Sequence, residues 1–259
     1  MVVGIVAMWA VTCLWAQENE SSAKKIRSRM VAVGAVNVLD TYLSQEKYSG
    51  SELRLFFQTR KFRNHWTHTF VNQGSIVYGS NRADNNNELG GSYEFHYHLR
   101  REWLLASGWT VEAGGGVQAN IGFLYNMRNS NNPAQARFSL SLNPSAATDY
   151  RFPLFKRTIQ LHYEVSAPLL GLMFSPNYGQ SYYEIFSRGN YDHNIVPTTI
   201  GATPSLRHML AFDIPLSSKP TTRTALRVGY LGDYWQAQVN NLKYHQYSHL
   251  FVLGWTKWF

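Results

Sequence analysis

After residue 26, apolar and polar residues alternate with a period of two over most of the chain, and no stretch keeps the 3.6-residue period of a helix. Tyr93, Phe95, Tyr97 and Leu99 share one face, and Glu94, His96, His98 and Arg100 share the other. Ile159, Leu161, Tyr163 and Val165 oppose Gln160, His162, Glu164 and Ser166 in the same way. Phe138, Leu140 and Leu142 oppose Arg137, Ser139, Ser141 and Asn143. Leu206, Leu210 and Phe212 oppose Arg207, Met209 and Asp213, while Leu226, Val228 and Tyr230 oppose Arg227, Gly229 and Asp233. The pattern predicts strands at 29–41, 51–62, 65–80, 91–106, 108–125, 134–152, 158–173, 204–216, 221–240 and 243–259, although the first and third alternate poorly. They run to roughly 12–18 residues. Soluble strands average about 5–6, and about 9–11 tilted residues cross a bilayer. Trp66, Tyr78, Trp103, Trp109, Tyr125, Tyr150, Trp255 and Trp258 stand near segment ends, where interfacial girdles belong. The expected fold is all-β: a transmembrane antiparallel up-and-down β-barrel of ten strands, or twelve if 175–203 hides a hairpin around 182–186.

Orientation follows from link length. With the last strand running inward, the short links at 63–64, 106–108, 153–157 and 217–220 are periplasmic. The longer links at 43–50, 81–90, 126–133 and 175–203 are then extracellular, and 241–242 is a tight outer turn. Phe251, Leu253, Trp255 and the terminal Phe259 share a face interrupted by Lys257, and this ending resembles the assembly signal of bacterial outer-membrane barrels. At the other end, Val2 to Trp15 is almost wholly apolar and stops at Ala16, before Gln17, Glu18, Asn19 and Glu20. That length suits a signal peptide and is too short to span a bilayer. The expected organisation is a signal peptide at 1–16, a periplasmic segment at 17–28 and the barrel at 29–259. Cleavage after Ala16 would remove Cys13, the one cysteine, so no disulfide framework is expected.

Asn37, Val38, Leu39, Asp40, Thr41, Tyr42, Leu43 and Ser44, followed by Tyr48, Gly50 and Glu52, carry a family resemblance. This block resembles the N-terminal part of an uncharacterised family of secreted Bacteroidota proteins with a domain of unknown function. The resemblance implies an outer-membrane barrel and supplies no catalytic residues. Read from its residues alone, the block is a strand, an outer loop and a second strand.

Composition narrows the class further. At 15% aromatic and only 15% charged, the chain is not disordered, and it lacks the apolar runs of a helical membrane bundle. The net charge of +8 is unevenly placed. Lys47, Arg82, Arg128, Arg188 and Lys243 in the outer links are matched by Glu46, Asp84, Glu88, Glu184 and Asp192. The excess falls at the predicted periplasmic rim. Arg60, Lys61, Arg63, Arg100, Arg101, Lys156, Arg157 and Lys219 are expected there in contact with anionic headgroups, at about 1 kcal/mol each. An acidic periplasmic partner is the alternative reading of this surface. No nucleic-acid module is present, so no nucleic-acid partner is expected.

The inward faces carry Glu94, His96, His98, Arg100, Glu112, Arg137, His162, Glu164, Arg207, Asp213, Arg227 and Asp233, with Glu52, Arg54, Arg60 and Asp149. Such charges inside a narrow barrel predict a hydrogen-bonded network that plugs the lumen, with a narrow pore as the alternative. Catalytic readings have less to stand on. A barrel phospholipase needs a His-x-Ser pair, and none of the nine histidines has one. An omptin-like protease needs aspartate pairs and an Asp–His couple at i, i+2. Asp84, Asp192 and His193 are the candidates, but adjacent Asp192 and His193 face opposite ways unless the loop bends. His96 with His98 and His162 with Glu164 have the spacing for a three-His, one-carboxylate site across the lumen. Hydrogen-bonded lumen histidines, with no metal and no cofactor, are the expectation. Gly114, Gly115 and Gly116 read as a kink or close-packing site, since no helix follows to make a phosphate loop. The expected role is structural, or within an envelope complex. Its partners are the outer membrane of a Gram-negative bacterium, the barrel-assembly machinery during insertion, and an envelope protein. Surface ligand binding through 175–203 is a further alternative.

Overall fold

The computed structural model describes residues 25–154, 156–219 and 222–259. The expected signal peptide and most of the expected periplasmic segment lie outside them. Ten long strands carry the barrel: β1 (Lys25–Asp40), β2 (Tyr48–Arg63), β3 (Trp66–Asn81), β4 (Asn87–Ala106), β5 (Trp109–Asn126), β6 (Ala134–Leu154), β7 (Arg157–Ser166), β10 (Leu206–Pro215), β11 (Thr224–Val239) and β12 (Leu242–Trp258). Two short strands, β8 (Leu170–Phe174) and β9 (Ile195–Thr199), and one helical turn, α1 (Tyr182–Phe186), belong to the long outer link. Every long strand pairs antiparallel with both neighbours, and β5 with β6 and β1 with β12 close the ring. No helix among the described residues is long and apolar enough to cross a membrane; the strands are what cross.

Burial alternates along each strand. In β12, Phe251, Leu253 and Trp255 are exposed, whereas Leu250, Val252 and Thr256 are fully buried. The exposed set forms an apolar outer surface, continued by Val31, Leu53, Ile76, Ile121, Phe138 and Leu226. Tight inner turns hold the periplasmic end. Asn64 and His65 (φ 47° and 64°) join β2 to β3, and Gly108 (φ 75°) helps join β4 to β5. Asn240 and Asn241 (φ 48° and 59°) make the one tight outer turn, a residue earlier than expected.

The structure corrects three boundaries. The first strand starts at Lys25, so 25–28 belong to the barrel wall. The segment at 182–186 is helical and not a hairpin: Ser181 caps it by accepting from the Glu184 backbone, and the Glu184 side chain returns the bond. The extra strands lie on either side of it and extend β7 and β10 outward. β6 is long enough to pair with β7 over Ser145–Leu154 and with β8 over Ser139–Leu142. β9 pairs with β8 and, among the described residues, has no ladder on its other side. There the wall is held to β11 by Gln238 N donating to Ala202 O, and by Ser205 Oγ, which accepts from Gln236 N.

The weak alternation of β1 also has a cause. Both of its faces are apolar, because Met30 and Ala32 join Phe56, Met209, Leu231, Leu250 and Val252 in a cluster inside the lumen. One wall of the interior is thus a hydrophobic core, and the charged network fills the space opposite.

Candidate functional site

Strand parity brings the ionisable side chains of β2, β4, β5, β6, β7, β10 and β11 together inside the barrel. Arg54, Arg60, Arg100 and Arg227 are each at most 2% exposed. Nearest the periplasm, the Arg60 guanidinium donates to Glu112 at 2.6 Å and to Asp149 at 2.7 Å. Thr67 adds a bond to Glu112 at 2.9 Å, and Nδ1 of His162 lies 2.8 Å from Asp149. Arg100 reaches Glu112 at 3.4 Å and Glu164 at 3.5 Å. At mid-height, Arg227 grips Asp213 through two bonds of 2.7 and 2.6 Å and donates to Gln58 at 3.1 Å. Gln58 in turn donates to Glu164 at 2.9 Å. In the ring of ten strands, β2 and β7 stand diametrically opposite, so this bond spans the full lumen. Further out, Arg54 pairs with Glu52 at 2.6 Å and with Asp233, while Glu94 takes Gln73 at 2.8 Å and His96 at 3.0 Å.

At the outer mouth, Arg137 pairs with Asp40 at 3.0 Å and lies 3.3 Å over the Tyr244 ring. The long outer link folds down beside this pair. The Tyr182 hydroxyl, on α1, accepts from Ala136 N at 2.7 Å and donates to Gln135 at 2.8 Å, and its ring meets Tyr42 edge-on. Burial raises the Tyr182 phenol above its ordinary range, and burial followed by the Asp40 charge pushes Tyr42 up to about 12.

All twelve expected lumen residues point into the barrel. Eleven of them meet named partners or lie within 4 Å of an opposite charge. His98, at 4% exposed, is the remaining one, and its Nδ1 meets no partner among the described residues. The residues sequence reasoning missed are the neutral ones that complete the network: Gln58, Gln73, Gln118, Thr67, Ser248 and Thr256. Each shares the inward parity of its strand, which was the available signal. Buried acids outnumber the arginines, so these amides and hydroxyls supply donors the cations cannot; Ser248 donates to Glu52 at 2.5 Å.

Two rim expectations are overturned. Arg60 and Arg100 are 2% and 1% exposed inside the lumen, because position parity turns both inward, and neither reaches a headgroup. Lys61, Arg63, Arg101, Lys156, Arg157 and Lys219 are exposed at the inner end. Among the hydrolase candidates, the loop does bend: His193 takes φ 49°, and its Nδ1 lies 2.5 Å from Asp192 Oδ1. The couple is nevertheless 89% and 63% exposed, and no contact joins it to Asp84 in the turn after β3. Among the described residues, no group of three His, Cys, Asp or Glu side chains is arranged to hold a metal ion. His96 instead contacts Glu94, and His162 contacts Asp149.

The outer membrane protease OmpT from Escherichia coli superposes with a TM-score of 0.53 at 7% identity, over 92% of this chain and 98% of that one. The translocator domain of the autotransporter NalP from Neisseria meningitidis gives 0.49 at 8% identity, over 100% and 97%. At such identities, the likeness to OmpT establishes the outer-membrane β-barrel fold and nothing of activity. No curated protein matches the chain. A family model described as "Protein of unknown function (DUF3316)" matches residues 3–259, and the chain therefore belongs to that family.

Proposed function

We propose that this is an outer-membrane barrel of a Gram-negative bacterium whose lumen is sealed, and that it serves the envelope as a structural or docking element and not as a pore. The observation that carries this reading is the bond from Gln58 to Glu164 between opposite walls. It is braced by Arg60, Arg100 and Arg227, and the hydrophobic cluster fills the other side of the same cross-section. The ion pairs of such a buried network hold it in place, because breaking any one pair strands a charge in a medium of low dielectric. The exposed inner basic residues, Lys61, Arg63, Arg101, Lys156, Arg157 and Lys219, suit anionic headgroups. The aromatic C-terminus suits delivery by the barrel-assembly machinery.

Planar-bilayer recording tests the seal. The unaltered protein is expected to show no steady conductance, and an Arg60→Ala, Arg100→Ala double variant is expected to conduct. Steady conductance in the unaltered protein, abolished by changing Arg137 or Glu94, would establish the narrow pore instead.

A further inference from the structure

Between the mid-height network and the Arg137–Asp40 pair at the outer mouth, the lumen holds a chamber of about 590 Å³, its open side included. One wall is built by β4, β5 and β6. Their register sets Glu94, Asn120 and Ser139 in one row and Ser92, Gly122 and Arg137 in the row above. Gly122 leaves the upper row bare at its centre: a Cβ there would lie 2.7 Å from the Gly91 carbonyl oxygen and 2.9 Å from Ser92 Cβ. In the ring of ten strands, β4 stands opposite β11 and β5 opposite β12. Trp235, Tyr244 and Gln246 therefore face this wall across the chamber.

The lining has hydrogen-bonding capacity that the protein does not use. Gln73, His96 and Gln118 all meet Oε2 of Glu94, which leaves Oε1 without a partner among the described residues. The Asn120 amide, the Ser139 hydroxyl and the Trp235 indole nitrogen likewise meet none there. All three residues are half-buried, so a ligand can reach them. A cavity of about 300–1,000 Å³ with a few convergent polar groups beside aromatic rings is the ordinary form of a small-molecule site. Charge selects the ligand. Glu94 and Arg137 are the charged residues of the described lining, and they cancel. Arg137 is already committed to Asp40 and to the Tyr244 ring. An anion would face Glu94 and a cation Arg137, both in a medium of low dielectric. The unused groups mix donors with acceptors, and a hydroxyl, which does both, matches either kind. The Trp235 ring on the facing wall adds a flat apolar surface. A neutral ring with hydroxyls on its edge and C–H groups on its faces satisfies both walls.

We propose that this chamber binds a neutral sugar, with its ring against Trp235 and its hydroxyls toward Glu94, Asn120 and Ser139. The proposal rests on the sealed lumen given above, which makes the chamber a cup and not a stretch of channel. The probes are glucose, galactose and N-acetylglucosamine. Each is titrated into the purified full-length barrel, in a detergent without a sugar headgroup, and read by saturation-transfer NMR. At least one is expected to bind with a Kd of about 1 mM. An Asn120→Ala, Ser139→Ala double variant is expected to bind about tenfold more weakly, the loss of two hydrogen bonds. Neither side chain bonds to the described protein, so this variant should fold normally, which heat-modifiability on a gel reports. Trp235→Ala should weaken binding as much, whereas Trp103→Ala, exposed near the inner end of β4, should leave it unchanged. No binding of any of the three sugars, or equal binding by the folded double variant, would overturn the proposal. So would tighter binding of glucuronate or glucosamine than of glucose, which would make the chamber an ion site. Planar-bilayer recording with the same sugars separates this proposal from the seal. A conductance blocked by sugar would keep the site and remove the sealed floor; a silent barrel that binds no sugar would remove the site alone.

Discussion

Replacing Arg60 by alanine is expected to destabilise the barrel by about 3–5 kcal/mol, the range for removing one partner from a buried ionic network. The side chain is 2% exposed and its terminal nitrogen serves two carboxylates, Glu112 and Asp149. Without it, both acids remain in the lumen with weaker partners. Glu112 keeps Thr67 at 2.9 Å and Arg100 at 3.4 Å; Asp149 keeps His162 at 2.8 Å and Gln160 at 2.6 Å. Arg60→Lys restores the charge but not the second guanidinium nitrogen, which lies 3.5 Å from His162 Nδ1, so it should recover only part of the loss. Arg101→Ala, at the exposed inner end of β4, should stay within about 0.5 kcal/mol of the unaltered protein. Urea unfolding in detergent micelles, followed by gel mobility without boiling, separates the three. An Arg60→Ala barrel as stable as Arg101→Ala would show that the network contributes nothing net to folding.

The strands whose two faces differ were legible in the sequence. β4 and β7 announce their inward residues because tyrosine and leucine alternate with histidine and glutamate, and every lumen residue expected on them lies inside. β1 was poorly legible because a barrel interior need not be polar: Met30 and Ala32 face other apolar side chains across the lumen, and period-two contrast vanishes when both faces are apolar. Arg60 and Arg100 were assigned twice, to rim and to lumen, because their positions near strand ends suggested headgroups. Parity decided the matter, since side chains in a strand cannot choose a face independently of their neighbours. The helical turn at α1 was missed because five residues with three aromatics carry no helical period, although the serine at 181 and glutamate at 184 form a readable capping box. The pairing of Gln58 with Glu164 could not be foreseen at all. It depends on which strands stand opposite, and so on the exact strand count.

Gly116→Ala is expected to cost about 3 kcal/mol or more, beyond ordinary overpacking, and to lower the yield of heat-modifiable barrel sharply. Gly116 faces the lumen opposite His98, and Gly114 faces it opposite Arg100. A Cβ at 116 would lie 1.9 Å from the Tyr97 carbonyl oxygen, and one at 114 would lie 2.1 Å from that of Leu99. Both obstacles are backbone atoms in a continuous ladder, so relief requires β4 and β5 to separate, which breaks the hydrogen bonds that close the wall. The close approach also leaves room beside the wall for the imidazole and guanidinium that these glycines face. Gly115 points outward, where an added Cβ meets only the Asn143 carbonyl at 3.3 Å. Gly115→Ala should therefore fold with nearly the unaltered midpoint, and comparing it with Gly116→Ala isolates the lumen-side constraint from the general entropic cost of glycine in a strand. If the two variants refold alike, the wall at this point yields more readily than the geometry implies, and the packing of His98 and Arg100 does not depend on the bare backbone opposite them.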